Sequence, residues 1–278
     1  MPHVIAGREN TGDILIYYED HGAGAPVVLV HGYLADVRSW EKQEVALLAA
    51  GYRVIAYDRR GGGASDRPAI GYDYDTLAAD LHALVETLGL RDATLVGACS
   101  GTGEVIRYLG NYGHHRVRGA ALLTPLPPFL PRSDANPDGA DRGALDDFLL
   151  DLAADRPSAI KTYLDRHYNV ELLGGGRVTD QAWQNSFQVA LRVSAAAALG
   201  CAIAWREDFT ADIGHVTVPV LVVQGAQDQI MPPAATGERL AAMLPDARRT
   251  VIPDGGHAIL WTHPAEVNEA LLDFLGSL

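Results

Sequence analysis

At 278 residues, 48% hydrophobic and 21% charged, the chain can bury a full core and suits one large α/β domain with room for an insertion, not a disordered or collagen-like chain. Its 22 basic and 35 acidic residues give a formal net charge of −13. An acidic surface repels phosphate backbones and anionic lipid heads, so neither nucleic acid nor a membrane is expected as a partner.

The first third alternates strand and helix signals. Ile14 to Tyr18 reads as a strand, and Pro26 to Val30 as a short apolar strand buried on both faces of a parallel sheet. Tyr52 to Tyr57 is another such run. Asp75 to Leu88 carries Leu77, Leu81, Leu84, Val85 and Leu88 at helical spacing. Ala93 to Val96 is a third apolar run, Gly103 to Tyr112 reads as a helix, and Val117 to Leu123 as the next strand. Four prolines (Pro125, Pro127, Pro128 and Pro131) and the turn signal Asn136-Pro137-Asp138-Gly139 then interrupt the pattern. From about Asp141 to Asp212 the signals are helical, with Ala195 to Ala202 especially rich in alanine. Alternation resumes with a strand at Val218 to Gln224, a helix from Ala234 to Leu244, a strand at Arg249 to Ile252 and a closing helix from Pro264 to Leu275. Strands alternating with helices predict a parallel sheet with right-handed crossovers, and the helical block predicts a cap laid over one edge of it. Residues 1–124 and 213–278 form the expected core, and 125–212 the expected cap.

The sharpest local feature is Gly97-Ala98-Cys99-Ser100-Gly101. A buried strand runs through this turn directly into a helix. Tiny neighbours let the central residue take a strained conformation that pushes its side chain out above the carboxyl edge of the sheet. The helix N-terminus beneath it favours negative charge, which suits a thiolate. Taken alone, the turn is equally consistent with Cys99 as a small core residue. Two further loops change that. Asp228 ends a loop after the strand at Val218 to Gln224, and His257 ends Pro253-Asp254-Gly255-Gly256 after the last strand. Alone, Asp228 could cap the next helix and His257 could be a solvated loop residue. Together the chain order is nucleophile, acid, histidine, the order of an α/β-hydrolase triad. His31-Gly32-Tyr33-Leu34 follows the first buried strand, where the backbone N–H of Tyr33, with that of Ser100, would form an oxyanion hole. His31 is expected to bond the loop backbone beneath the site.

The chain resembles the cofactor-free, non-haem haloperoxidase and esterase group of α/β-hydrolases. The resemblance is carried nearly end to end by Tyr17-Tyr18-Glu19-Asp20-His21-Gly22, Tyr57-Asp58-Arg59-Arg60-Gly61, Gly71-Tyr72-Asp73-Tyr74-Asp75, Gly103-Glu104-Val105, Asn136-Pro137-Asp138-Gly139 and Leu260-Trp261-Thr262-His263. It implies a mostly parallel eight-stranded sheet with a helical cap, a Ser-His-Asp triad, esterase activity and perhydrolysis of short carboxylic acids. Neither metal nor haem is implied. The acid and base carry over onto Asp228 and His257, and the oxyanion donors onto Tyr33 and the residue after the nucleophile. Three departures lie at the site itself. Cys99 replaces serine, Ser100 stands where the group usually has methionine, and Leu34 where it often has proline.

A cysteine alters the chemistry. Its ordinary pKa, near about 8.5, lets it be ionised in advance beside a histidine and a helix N-terminus. It would attack an activated ester, lactone or thioester and hold the acyl group as a thioester. That acyl group could pass to water or to another acceptor, so hydrolase and acyltransferase are both expected outcomes, with a small-molecule acyl substrate as partner. The alternatives are a haloperoxidase, perhydrolase or esterase carrying a cysteine, a tailoring cyclase or C–C bond enzyme, and a non-catalytic ligand-binding protein. Peroxide chemistry ranks below acyl transfer because a thiolate is oxidised by peroxide.

Leu34, Pro125, Trp205 and Ile259 are expected to line the substrate pocket. Cys201 is expected to be packing, and two cysteines are too few for a secreted disulfide framework or a four-cysteine zinc site. His114, His115 and His167 lack metal-ligand spacing. Self-association, common in the family, is allowed. A missing leader pattern, and the absence of any apolar run long enough to cross a bilayer, leave a cytoplasmic location as the expectation.

Overall fold

The computed structural model describes residues 2–173, 176–244 and 246–278. Its strands are β1 (His3–Glu9), β2 (Gly12–His21), β3 (Pro26–Val30), β4 (Arg53–Tyr57), β5 (Ala93–Ala98), β6 (Val117–Leu123), β7 (Val220–Gly225) and β8 (Arg248–Ile252). They form one eight-stranded sheet in the order β1-β2-β4-β3-β5-β6-β7-β8. β1 and β2 are antiparallel to their neighbours, and the other pairings are parallel. This is the α/β-hydrolase sheet that the resemblance implies.

Register aligns the strand ends. Val30 pairs with Gly97, Ala98 with Leu123, Leu123 with Val223, and Gly225 with Ile252. The loops after β3, β5, β7 and β8 therefore leave from one carboxyl edge. Successive residues of a strand face opposite sides, and β3 divides accordingly. Val28 and Val30 enter the core shared with α2 (Tyr74–Thr87) and α3 (Ser100–Tyr112), whereas Val27 and Leu29 enter the core that also holds Leu47 of α1 (Glu41–Ala49).

Between β6 and β7 come α4 (Arg142–Ala154), α5 (Arg156–His167), α6 (Val170–Leu173), α7 (Asp180–Arg192), α8 (Ala195–Ala204) and α9 (Thr210–Ile213). Their starts are capped locally. Asp141, Asp155, Thr179 and Ser194 each accept a hydrogen bond from a backbone N–H three residues on. α10 (Gly237–Met243), α11 (Ile259–Thr262) and α12 (Pro264–Gly276) complete the chain. The Phe274 and Leu275 side chains of α12 close the core beside α1.

Several boundaries differ from the sequence reading. β1 carries no alternating apolar signal, because Val4 is its one buried residue and Ile5 points outward at the sheet edge. α1 is weakly amphipathic and gives little periodic signal; it buries Gln43 and Leu47. α3 begins at Ser100, not Gly103, because the strand turns into the helix without a linker. β7 begins at Val220 because Pro219 supplies only its carbonyl to the ladder, to the N–H of Ala120. α10 starts at Gly237, after a turn built on Pro232 and Pro233.

Candidate active site

Cys99 sits between β5 and α3 with φ 52 and ψ −123, a conformation that costs a non-glycine residue energy and is held only by its surroundings. Its N–H donates to the Leu123 carbonyl at 2.9 Å, tying the turn to the neighbouring strand. The flanking glycines are sterically required. A Cβ on Gly101 would lie 2.3 Å from the Val30 carbonyl oxygen, and one on Gly97 would lie 2.7 Å from that of Gly101. The close packing of β5, β3 and α3 holds the thiol at the carboxyl edge of the sheet, where it is buried.

The loops after β7 and β8 bring an acid and a base to the same edge. His257 Nδ1 lies 2.8 Å from Asp228 Oδ2, with both side chains fully enclosed. Asp228 is itself fixed. Its Oδ1 accepts the N–H groups of Ile230 at 2.9 Å and Met231 at 2.8 Å, and its Oδ2 also accepts Gln224 Nε2 at 3.0 Å. A carboxylate held this way is a fixed hydrogen-bond acceptor, so Nδ1 carries the proton. The far nitrogen, Nε2, is buried and has no hydrogen bond of regular geometry.

The thiol and imidazole nevertheless act on each other. Burial alone would raise the Cys99 pKa. The positive charge of the nearby His257 ring, above all, outweighs it, and the thiol lies below its ordinary value. Burial alone would lower His257. The charges of Asp228 and Cys99 outweigh that, and the imidazole is raised. Each shift favours the charged form of its group.

His31 holds the Tyr33 loop from below. Its Nε2 accepts the Arg59 N–H at 3.0 Å, so Nδ1 carries the proton and donates to the Gly32 carbonyl at 2.9 Å. Burial, first, and the Arg59 charge keep this ring neutral, with its pKa lowered to about 3. Because a peptide unit is planar and trans, fixing the Gly32 carbonyl also fixes the opposed N–H of Tyr33. Arg59 reaches the His31 carbonyl at 2.9 Å and is neutralised by Glu104 at 2.9 Å; Tyr57 also bonds Glu104.

A cavity of about 100 Å³ opens above Cys99 and His257. Leu34 lines it, and this residue also has a positive φ of 56. Pro125, Trp205 and Ile259 do not line it, contrary to the sequence reading. Thr124, at φ 47, faces the cavity where Pro125 was expected, and Pro125 is buried behind it. Trp205 stands behind Tyr33, edge to face at 4.7 Å, and stacks on Phe148. Ile259 turns into the core beside Ile252. Seven residues of the helical segment that the sequence did not indicate, among them Tyr163, His167 and Tyr168, form part of the wall. Trp261 also lines it, whereas Trp40 is a core residue.

Cys201 is a buried free thiol whose pKa burial pushes up to about 11. Among the described residues the one grouping of metal-ligand type is Glu19, His21 and Glu44, on β2 and α1 and outside the cavity wall.

Residues 25–264 match the family described as alpha/beta hydrolase fold. A Synechocystis sp. protein assigned as a non-heme chloroperoxidase is 47% identical over 99% of this chain and 100% of its own length. Among solved structures, a bromoperoxidase from Bacillus anthracis superposes with a TM-score of 0.94 at 37% identity, covering 99% of both chains. An esterase from Exiguobacterium antarcticum does so at 0.92 and 30% identity, covering 99% of this chain and 100% of its own. The chain belongs to the alpha/beta hydrolase fold family, with non-haem haloperoxidases and esterases among its homologues.

Proposed function

We propose that this protein is an esterase-type hydrolase of small activated acyl compounds, with Cys99 as nucleophile, His257 as acid and base, and Asp228 holding His257. The enclosed His257–Asp228 pair, lining one cavity with the thiol held at the strained Cys99 turn, carries this reading. The thiolate attacks the acyl carbon and the carbonyl oxygen takes negative charge between the two N–H groups. As the C–O bond to the leaving group breaks, the imidazolium gives up its Nε2 proton to that oxygen. A water then loses a proton to His257 and attacks the thioester, and the C–S bond breaks to restore the ion pair. The helical segment between β6 and β7 limits the acyl group. A cavity of about 100 Å³ is small beside the roughly 300–1,000 Å³ of drug-sized sites, so acetyl and similarly short chains are expected. The same thioester could pass its acyl group to an amine or alcohol, which makes transfer a side reaction of the same site.

Intact-protein mass spectrometry during turnover of p-nitrophenyl acetate tests this. One acetyl adduct is expected, lost in Cys99→Ala. Turnover without any adduct, or an adduct that survives Cys99→Ala, overturns the role of Cys99.

The relatives' names favour a second reading, halogenation through a peracid. In that scheme peroxide replaces water as attacker of the acyl-enzyme, and the peracid released oxidises halide. A thiolate is oxidised by the same peroxide, so the native chain is expected to lose activity as it works. Cys99→Ser should turn over longer in bromination of monochlorodimedone with acetate and peroxide. A native enzyme that brominates steadily, with Cys99 unmodified, would favour this reading over simple ester hydrolysis.

A further inference from the structure

The helical segment between β6 and β7 brings one hydroxyl within reach of the sulfur. Tyr163 and His167 lie four residues apart on α5, so they share a face of that helix. The Tyr163 hydroxyl lies 4.0 Å from Cys99 Sγ, at the outer limit for a sulfur hydrogen bond, with both groups buried. Its ring is boxed in, edge to face with Tyr33 at 5.3 Å and stacked with His167 at 5.7 Å. His167 in turn stands edge-on to His257 at 5.1 Å. A buried phenol that loses its one partner costs about 1–3 kcal/mol, and a ring held on these sides has little freedom to seek another.

We propose that Tyr163 is a further catalytic residue, a hydrogen-bond donor from α5 to the Cys99 sulfur. This rests on the reading of Cys99 as nucleophile. The phenol is suited to permanent donation, because burial and then the neighbouring Cys99 charge hold its pKa well above the usual value. It can give a hydrogen bond in every state of the cycle and cannot take the thiol's proton. Its effect is largest wherever sulfur carries negative charge. That includes the resting ion pair and the last step of hydrolysis, when the C–S bond of the tetrahedral intermediate breaks and its electron pair returns to sulfur. In a serine enzyme no resting anion occupies this position, so the phenol answers to the cysteine in particular. The neutral His167, whose pKa burial and the His257 charge hold well below the ordinary value, supports the Tyr163 ring without adding a competing charge. The titratable groups around the sulfur are then His257 after β8, Tyr33 after β3, Tyr74 of α2 and Tyr163 itself, with Asp228 behind His257.

The variant Tyr163→Phe removes the hydroxyl and keeps the ring. Two readouts separate its role from packing. The rate of Cys99 alkylation by iodoacetamide is followed from pH 5 to 10, and release of the acetyl group is followed after a pulse of p-nitrophenyl acetate. In Tyr163→Phe the alkylation midpoint is expected to rise by about 0.5–1 pH unit, and acetyl release to slow roughly three- to tenfold. An unchanged alkylation profile in Tyr163→Phe overturns the proposal. That profile reads the contact between phenol and thiolate even where no acetyl adduct accumulates, so a missing adduct counts against the acyl-enzyme alone.

Discussion

The Tyr33 hydroxyl donates to the Ala198 carbonyl at 2.7 Å, across 165 residues of sequence. Tyr33, which lines the cavity beside Cys99, is thereby pinned, through its side chain, to α8 in the helical segment. The loop after β3 and the wall of the cavity are one mechanical unit, and shifts in either reach the other.

Tyr33→Phe tests that link. It removes that hydrogen bond, leaves the Ala198 carbonyl its bond within α8, and keeps the Tyr33 N–H in place. Unfolding in urea should show a loss of about 0.5–1.5 kcal/mol. KM for p-nitrophenyl acetate should rise more than kcat falls, because the cavity wall loosens while the Tyr33 N–H stays in place.

Asp228→Asn presents an amide nitrogen where two hydrogen bonds are now accepted, from His257 Nδ1 and from Gln224. The ring then favours the tautomer with its proton on Nε2, the nitrogen that must accept one. A fall in kcat/KM of about 10²–10⁴ is expected. The alkylation midpoint of Cys99 should rise, since the positive charge that lowers it is no longer supported. A variant within twofold of the native rate would show that Asp228 does not orient the base.

The pH profile follows from the two opposed shifts. Cys99 lies below its ordinary value and His257 is raised to about 10, so the ion pair fills the window between the two. Acylation should rise as pH climbs through the lowered Cys99 value, hold across that window, and fall as His257 loses its proton at the raised value. Cys99→Ser removes the anion and needs a neutral imidazole, so its rate should only rise with pH. Folding stability follows the same signs. The raised His257 stabilises fully below its unfolded pKa, and that gain fades as pH rises through its folded value. The lowered Cys99 stabilises above its unfolded pKa, and that gain fades as pH falls through its folded value. Stopped-flow acylation and urea midpoints across pH 5 to 10 check both.

Gly101→Ala should fail to fold to a native yield. The added carbon would meet the Val30 carbonyl oxygen at 2.3 Å and the His31 one at 2.7 Å, and backbone on both sides leaves nothing flexible to give way. A loss above about 3 kcal/mol, seen as a collapsed thermal midpoint, is expected.

Glu104→Gln leaves the Arg59 guanidinium buried without its counter-charge behind the Tyr33 loop. Breaking such a pair costs about 3–5 kcal/mol, and thermal unfolding should show it. Activity lost beyond the unfolded fraction would trace to the His31 and Gly32 carbonyls that Arg59 reaches.

By itself the sequence determined the sheet and the points where chemistry-bearing residues leave it. Short apolar runs ending in Gly97-Ala98-Cys99, Gln227-Asp228 and Gly256-His257 place those residues at strand ends, and parallel strands put such ends on one edge. It did not determine β1, whose residues are mostly exposed and carry no periodic signal, nor the cavity wall. Trp205 and Ile259 are apolar and near the site in sequence pattern, yet one supports Tyr33 from behind and the other turns into the core. Tyr163 and His167 look in sequence like any aromatic pair at helical spacing. The face of α5 that meets Cys99 is set by how α4, α5, α7 and α8 pack on each other and on Tyr33. Such packing is fixed by contacts between residues far apart in the chain, and local pattern carries no record of them.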